Sequence, residues 1–510
     1  MESVIPPHEL VLDGSKLRRD SIPLESPVEE NLKVQLIEPD EDSDSPRKIR
    51  KMYFAALSAL LMGVAMGTTI GYTAPATYDM KNRPDSPFKP STDDITWIGS
   101  ALAVGSMPGS LVAGPLADKI GRKSTLIVNI LPFVIGWLTI SFANTVGAVI
   151  AGRLICGFAS GVISVAVPMY CVEISTSKVR GLLGASFQGF VVIGQLVSVI
   201  IGSYVSWEFL ALVGAGVVTL SLFCFIPFPE SPRWLLAHDE RKEAVYVMRD
   251  LHGVHMNVEE ECTKILTDLK NQPKGFLTLN ECKHPTIYKP AVIATILMFF
   301  HQFSGSNAVL FYSSTIFEAS KEFMDPEKSS IILGAVQVAV TLFSNNIVDK
   351  AGRKILLIIS SSLMSVSLTI LGTYYYISAD DKVFQLRYDW IPLCSLISFL
   401  FAFALGFGSI PALMAAEMIP LRARSTIGGL ILFANSTFAF IITKTFSELE
   451  DLVHNYGTFW TYAALSLVGC FFVILVVPET KGKELEDIAN YFNKKKKNDP
   501  EISVSVLSKK

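Results

Sequence analysis

Charge is scarce in this chain: only 18% of its 510 residues are Asp, Glu, Lys or Arg, against about 25% in a soluble domain. That shortage argues against a water-soluble fold. Histidine and cysteine are also few, seven of each, and they do not fall at metal-ligand spacing, so no metal centre is expected. The cysteines give no disulfide framework either. Cys156, Cys224, Cys394 and Cys470 sit in apolar segments, Cys171 ends one, and Cys262 and Cys282 lie in a central polar stretch, which reads as packing. A Gly-rich phosphate cradle and a nucleophile elbow are both missing. The expectation is a non-enzyme with no cofactor and no nucleic-acid partner. Residues 1–51 lack an apolar leader and are rich in Ser, Pro and Glu, as in a disordered tail.

What is present is apolar length. Mean hydropathy is +0.41, and apolar runs of roughly 20 residues, enough to cross about 30 Å of hydrocarbon, recur along the chain. Spans are expected near 53–76, 95–117, 125–143, 147–168, 182–204 and 207–228, then 290–314, 330–348, 355–377, 390–415, 426–447 and 458–477. Open sheets cannot satisfy their backbone in lipid. The predicted fold is therefore an all-α integral membrane protein of twelve spans. Residues 52–228 and 290–477 form its six-helix halves, 229–289 a central loop with short helices, and 478–510 a C-terminal tail.

Charge sets the orientation. Lys119, Arg122, Lys123, Lys178, Arg180, Lys350, Arg353, Lys354, Arg422 and Arg424 follow spans two, four, eight and ten, while Asp93, Asp94, Asp380, Asp381, Glu448, Glu450 and Asp451 occupy alternate loops. The basic side is predicted to be cytoplasmic, with both termini inside, in a plasma-membrane protein.

One string is written twice. Asp118-Lys119-Ile120-Gly121-Arg122-Lys123 recurs as Asp349-Lys350-Ala351-Gly352-Arg353-Lys354, each copy closing one span and opening another. Charges are costly at the bilayer centre, so both copies belong at one membrane face in equivalent turns of related halves. Duplication of this kind points to a secondary transporter.

With Gly114 ahead of it, the first copy resembles the signature of the major facilitator superfamily. Further strings resemble its sugar-porter family: Gly152-Arg153-Leu154, Pro168 to Glu173 with Arg180-Gly181, Pro229-Glu230-Ser231-Pro232-Arg233-Trp234, Gln302-Phe-Ser-Gly305-Ser-Asn307, Glu417 with Arg422 and Arg424, and Pro478-Glu479-Thr480-Lys481-Gly482. Within that family, insect facilitated trehalose transporters and animal facilitative glucose transporters are most similar. The resemblance implies sugar transport by alternating access. It also implies a cytoplasmic gate of salt bridges across the two halves, formed when the transporter faces outward and separated when it faces inward, drawn from Asp118, Arg122, Arg153, Glu173, Arg180, Glu230, Arg233, Asp349, Arg353, Glu417 and Arg424.

A sugar needs paired donors and acceptors, and amides carry both. Gln188 and Gln195 lie seven apart in span five, hence on one face. Gln302 and Asn307 are in span seven, Gln337 in span eight and Asn435 in span eleven. Amides inside spans also serve as interhelical glue. The family resemblance marks Gln188, Gln302, Asn307 and Asn435 as principal sugar ligands, with His301, Gln337 and Gln195 as further liners and Phe311 and Tyr312 as an extracellular gate.

Three departures stand out. His301 replaces the first of the family's paired Gln, Gln337 its Asn, and Ala412 the Trp of its Gly-Pro-x-Pro-Trp string, here Gly408-Ser409-Ile410-Pro411-Ala412. Loss of that ring removes about 1 kcal/mol of stacking or makes room for another substrate, with Phe403, Phe407 or Phe311 as replacements. Span one holds Thr68 where proton-coupled porters carry an acid, and no acid lies between Met52 and Tyr78, which favours uniport. The alternatives are a proton-coupled sugar or polyol symporter and a non-transporting sugar sensor. Expected partners are a small sugar and the lipid bilayer.

Overall fold

All the regular elements among the described residues are helices, as expected of a chain whose backbone must satisfy itself in lipid. The computed structural model describes residues 46–176, 179–252, 258–271, 279–311, 326–420, 423–483 and 491–492. The predicted N-terminal tail lies outside them except for its last six residues, which begin the first helix.

The first half contains α1 (Pro46–Gly71), α2 (Thr73–Asn82), α3 (Thr92–Ile120), α4 (Arg122–Ser141), α5 (Val146–Ile174), α6 (Arg180–Gly202) and α7 (Trp207–Phe225). Short helices follow: α8 (Pro232–Ala237), α9 (Arg241–His252), α10 (Val258–Asn271) and α11 (Leu279–Cys282). The second half contains α12 (Pro285–Phe303), α13 (Ser306–Phe311), α14 (Pro326–Ala351), α15 (Arg353–Asp380), α16 (Lys382–Arg387), α17 (Ile391–Leu405), α18 (Ile410–Met418) and α19 (Arg424–Leu475).

These helices make twelve crossings. Span one is α1 with α2, span seven α12 with α13, and span ten α17 with α18. The α19 stretch supplies the last two, a pair of helices that meet at a kink at His454, whose φ of 60° is not helical. That turn falls in the predicted gap between spans eleven and twelve.

Each half has its own apolar core. One runs from Met52 to Cys262 and takes in Leu235, Val247 and Leu251 of the short helices; the other runs from Ile293 to Phe492. The loop helices are thus part of the first half's packing. The indole of Trp234 donates to the Asp118 carbonyl (3.0 Å), and Lys51 pairs with Asp250. The start of α1, the end of α3 and helices α8–α9 therefore share one face, called here the basic face. Asp79, Asp93 and Glu208 lie at the opposite, acidic face.

Close helix contact relies on small residues, as usual in lipid. A Cβ on Gly67 of α1 would strike the Val191 carbonyl of α6, and one on Gly194 would strike the Val64 carbonyl. This contact holds α6, with Gln188 and Gln195, hard against span one.

Candidate functional site

Span seven breaks at Ser304-Gly305, where Gly305 takes φ 85°, a conformation that glycine adopts without a Cβ penalty. The break sets Gln302, the penultimate residue of α12, beside Asn307 at the start of α13. Asn307 Nδ2 donates to Gln302 Oε1 (2.6 Å), and Gln302 Nε2 donates to Asn435 Oδ1 of α19 (2.9 Å). Three of the four principal amides named from sequence thus form one directional chain. Gln302, its centre, is only 3% exposed. The two outer amides are half-buried, leaving Asn307 Oδ1 as a spare acceptor and Asn435 Nδ2 as a spare donor. That pairing suits a hydroxyl, which both gives and takes a hydrogen bond.

The other amides lie elsewhere. Gln195 and Gln337 face a small cavity of about 30 Å³ between α6 and α14, together with Leu310 of α13. Gln195 Oε1 is buried there without a described partner. Gln188 is half-buried on α6 and joins neither group by a described bond. His301 packs its ring on Phe403 (5.3 Å) and keeps a buried Nδ1 with no described partner. Phe403 and Phe407 are buried in the second core, so the rings considered as substitutes for the missing Trp serve packing. Ala412 is exposed on α18. The side chain of Phe311 and the whole of Tyr312 lie outside the described residues.

At the basic face the duplicated string folds into two matching clusters. Gly121 and Gly352 take φ of 98° and 96°. Arg122 pairs with Glu173 (2.9 Å) and donates to the Ala117 carbonyl (3.2 Å). Arg353 pairs with Glu417 (2.9 Å) and donates to the Val348 carbonyl (3.3 Å). Asp118 adds a second acid to Arg122 (3.1 Å). Glu173 accepts from Ser231 Oγ, and Glu417 from Thr480 Oγ1 (2.6 Å).

Glu230 and Glu479 behave differently from the salt-bridge role expected of Glu230. The Glu230 carboxylate accepts backbone N–H groups of Arg122 (2.9 Å), Lys123 (3.0 Å) and Ser231 (2.8 Å). Glu479 accepts those of Arg353, Lys354, Thr480 and Lys481 at 3.0–3.1 Å. Each carboxylate caps the donor end of a helix, α4 or α15, where negative charge is favourable. Burial works to raise the Glu479 carboxyl, but these N–H donors outweigh it and hold it below the usual carboxylate range.

Sequence reasoning missed Glu479, Thr480 and Ser231 as cluster members. Their signal was a second repeat, Pro229-Glu230-Ser231 against Pro478-Glu479-Thr480.

One further expectation, the placing of Arg153, needs correction, and the network across the halves expected of an outward-facing state is not seen among the described residues. The described ion pairs at the basic face run within each half and not between halves. Arg180 donates to the carbonyls of Val172 (3.1 Å) and Ser175 (3.5 Å), and Arg233 has no described ion pair. The side chains of Asp349 and Arg424 lie outside the described residues. Arg153 belongs to the other end altogether. It stands 20 residues before Glu173 on the same helix, about 30 Å away at 1.5 Å per residue. It is fully buried, donating to the carbonyls of Thr69 and Ile98 and to Thr73 Oγ1 (2.6 Å), beside the Tyr72 ring. Thr69 and Thr73 meet it, whereas Thr68 turns its hydroxyl to the Ala65 carbonyl.

The described ion pair that does join the halves sits at the acidic face. Lys444 of α19 reaches Asp93 of α3, donates to Thr96 Oγ1 (2.9 Å), and lies 4.8 Å from the centre of the Trp97 ring. Ser106 and Ser436 bond across the same seam (2.8 Å). Lys444 went unremarked in the sequence, although a lone lysine in an apolar span is a functional signal by its cost.

Comparison with known proteins bears on the whole assembly. The family model described as "Sugar (and other) transporter" matches residues 51–492. A facilitated trehalose transporter of Apis mellifera ligustica is 35% identical over 481 residues, covering 91% of this chain and 95% of that protein. One from Bombyx mori is 35% identical over 478 residues, with 92% and 94% covered. Among solved structures, the proton:xylose symporter XylE bound to 6-bromo-6-deoxy-D-glucose superposes with a TM-score of 0.72 at 22% identity, covering 87% of this chain and all of that one. An inward-open structure of the E. coli xylose transporter gives 0.71 at 22%, covering 86% of this chain and 99% of that one. With two duplicated halves, a broken span carrying amides and a family match along nearly its full length, the chain belongs to the sugar transporter family of the major facilitator superfamily.

Proposed function

We propose that this protein is a uniporter that carries a neutral sugar, trehalose or a hexose, down its gradient across the plasma membrane. Its basic face and both termini lie in the cytoplasm. The halves, residues 52–228 and 290–477, rock about the sugar so that one face opens at a time. No bond is made or broken in the solute. The carrying observation is the Asn307–Gln302–Asn435 chain at the break of span seven, which ends in one spare acceptor and one spare donor. Gln188 meets the sugar from the first half, and His301, Gln195, Gln337 and Ala412 shape the rest of the chamber. Phe311 and Tyr312 close it on the outside.

Uniport is supported by the company Arg153 keeps. Its described partners are two carbonyls, a hydroxyl and a ring, so among the described residues no carboxylate bonds it. The basic-face clusters brace each half while it moves. Each has an arginine held by a glutamate and a carbonyl, a geometry that travels with the half intact.

One observation favours a second reading, proton-coupled symport: His301, next to the amide chain, has a buried Nδ1 with no partner among the described residues. The test is uptake of radiolabelled trehalose and glucose into liposomes holding the purified protein. Uniport gives saturable uptake that a proton ionophore leaves unchanged. Uptake that collapses with the pH gradient supports symport, and no uptake of any sugar overturns transport itself.

A further inference from the structure

A cavity of about 370 Å³ opens at the acidic face between α2, the end of α6 and the start of α14. It falls at the lower end of the 300–1,000 Å³ typical of small-molecule sites. Tyr78, Asp79, Asn82, Arg83 and Ser203 supply its polar lining. None of these residues belongs to the amide chain or to the basic-face clusters. Val199 and Ser330 line both this cavity and the small one holding Gln195 and Gln337. The two spaces therefore lie in series along α6, from the acidic face toward mid-membrane.

The charges in the outer cavity are already spoken for. Arg83 makes a forked pair with Glu208 (3.0 Å on one arm) and a longer bond to Asp79 (3.5 Å). Its partner Glu208 raises the Arg83 pKa further. Asp79 Oδ2 also accepts the Trp207 backbone N–H (3.0 Å). An anion would meet two carboxylates and an arginine committed to them. Asp79 Oδ1, the Asn82 amide and the Tyr78 hydroxyl are what remain toward the cavity, joined by Ser203 Oγ as an acceptor only, since its proton goes to the Val199 carbonyl (2.9 Å); the set mixes acceptors with two-way groups. Such a lining fits a neutral polyhydroxylated ligand.

We infer that this cavity is a second sugar-binding station, an outer vestibule in series with the amide site, which holds a neutral sugar before it moves inward. The inference rests on the sugar-transport reading for the identity of its ligand, but its site is separate.

A substituted-cysteine experiment tests it. Tyr204, 82% exposed at the cavity rim, becomes a reporter as Tyr204→Cys in a Cys394→Ser background, because Cys394 is the exposed native thiol. The full chain is placed in phosphatidylcholine vesicles and labelled with a membrane-impermeant maleimide, with and without trehalose or glucose. Occupancy at about five times Kd slows labelling about sixfold. The same protection is expected with Asn435→Ala added, because the vestibule does not use that amide. It should vanish with Ser203→Trp, which fills the cavity. Protection that disappears with Asn435→Ala means that the reporter senses the amide site through a conformational change, and overturns the vestibule. Absence of protection in the parent also overturns it, as does protection by vesicles containing phosphatidylinositol without added sugar. Transport failure with protection intact would instead reject the uniport reading and leave the vestibule standing.

Discussion

Lys444→Met should open the acidic face. The side chain joins α19 to α3 by three contacts of different strength. The pair with Asp93 is weak, since Asp93 is 72% exposed, and such pairs bring about 0.2–1 kcal/mol. The Trp97 ring at 4.8 Å adds about 0.5–1 kcal/mol. The bond to Thr96 (2.9 Å) carries a charge and adds about 1.5 kcal/mol at the low end for its class. These contributions share one ammonium and do not add fully, so about 1.5–2 kcal/mol is a fair total. Methionine keeps the length and the apolar stem and removes the charge. Each 1.4 kcal/mol is a factor of ten, so the population open at the acidic face should rise about 10- to 30-fold. A thiol placed at Ser436, which bonds Ser106 across the same seam, reads this as faster labelling from the acidic side. The charge swap Lys444→Asp with Asp93→Lys should restore part of the parent rate. Unchanged labelling in Lys444→Met would refute the latch, because the three contacts would then be equally strong in both states.

Other expectations follow from the repeated clusters and from span ten. Gly121→Ala and Gly352→Ala should each cost about 1–3 kcal/mol of thermal stability from backbone strain. Gly121→Ala is the worse because its Cβ would run into Glu230 Oε2, while that of Gly352 stands 2.9 Å from Glu479 Oε2; equal melting of both variants and the parent would contradict this. The Glu479 carboxyl is held below its ordinary value, so its stabilisation is complete above the unfolded glutamate pKa of about 4.3 and is lost as pH falls through the lower folded value. Melting temperature should therefore drop in that acid window, with a shallower drop in Glu479→Gln; parallel profiles would show that the cap does not matter. Ala412→Trp should shift the preference between trehalose and glucose in a liposome uptake panel, and an unaltered ratio would show the position to be idle.

Hydropathy and length alone gave the twelve crossings, because lipid leaves the backbone few options. Even the turn at His454 fell in the gap expected between the last two spans. The amide chain was legible only with the family resemblance: cost inside an apolar span marks Gln195 and Gln337 equally, and it was the match to sugar-porter positions that singled out Gln302, Asn307 and Asn435, which the structure brings together. What sequence could not convey was depth and direction. Arg153 was grouped with the basic-face charges by type, yet seven residues into α5 it can only lie near the other end. Glu230 looked like a salt-bridge partner because it is an acid near arginines, whereas the φ of Gly121 turns the backbone N–H groups of Arg122 and Lys123 toward it. Lys444 was visible as the sole basic residue between 426 and 447, but its partner Asp93 is 351 positions away, and no local pattern connects them.

The most direct measurement is a structure of the purified protein in lipid at saturating trehalose or glucose. The account expects sugar hydroxyls within about 2.7–3.2 Å of Asn307 Oδ1 and Asn435 Nδ2, with Gln302 bridging those two amides within the second half. Sugar bound elsewhere with those two atoms empty, or an amide chain facing lipid, would contradict it.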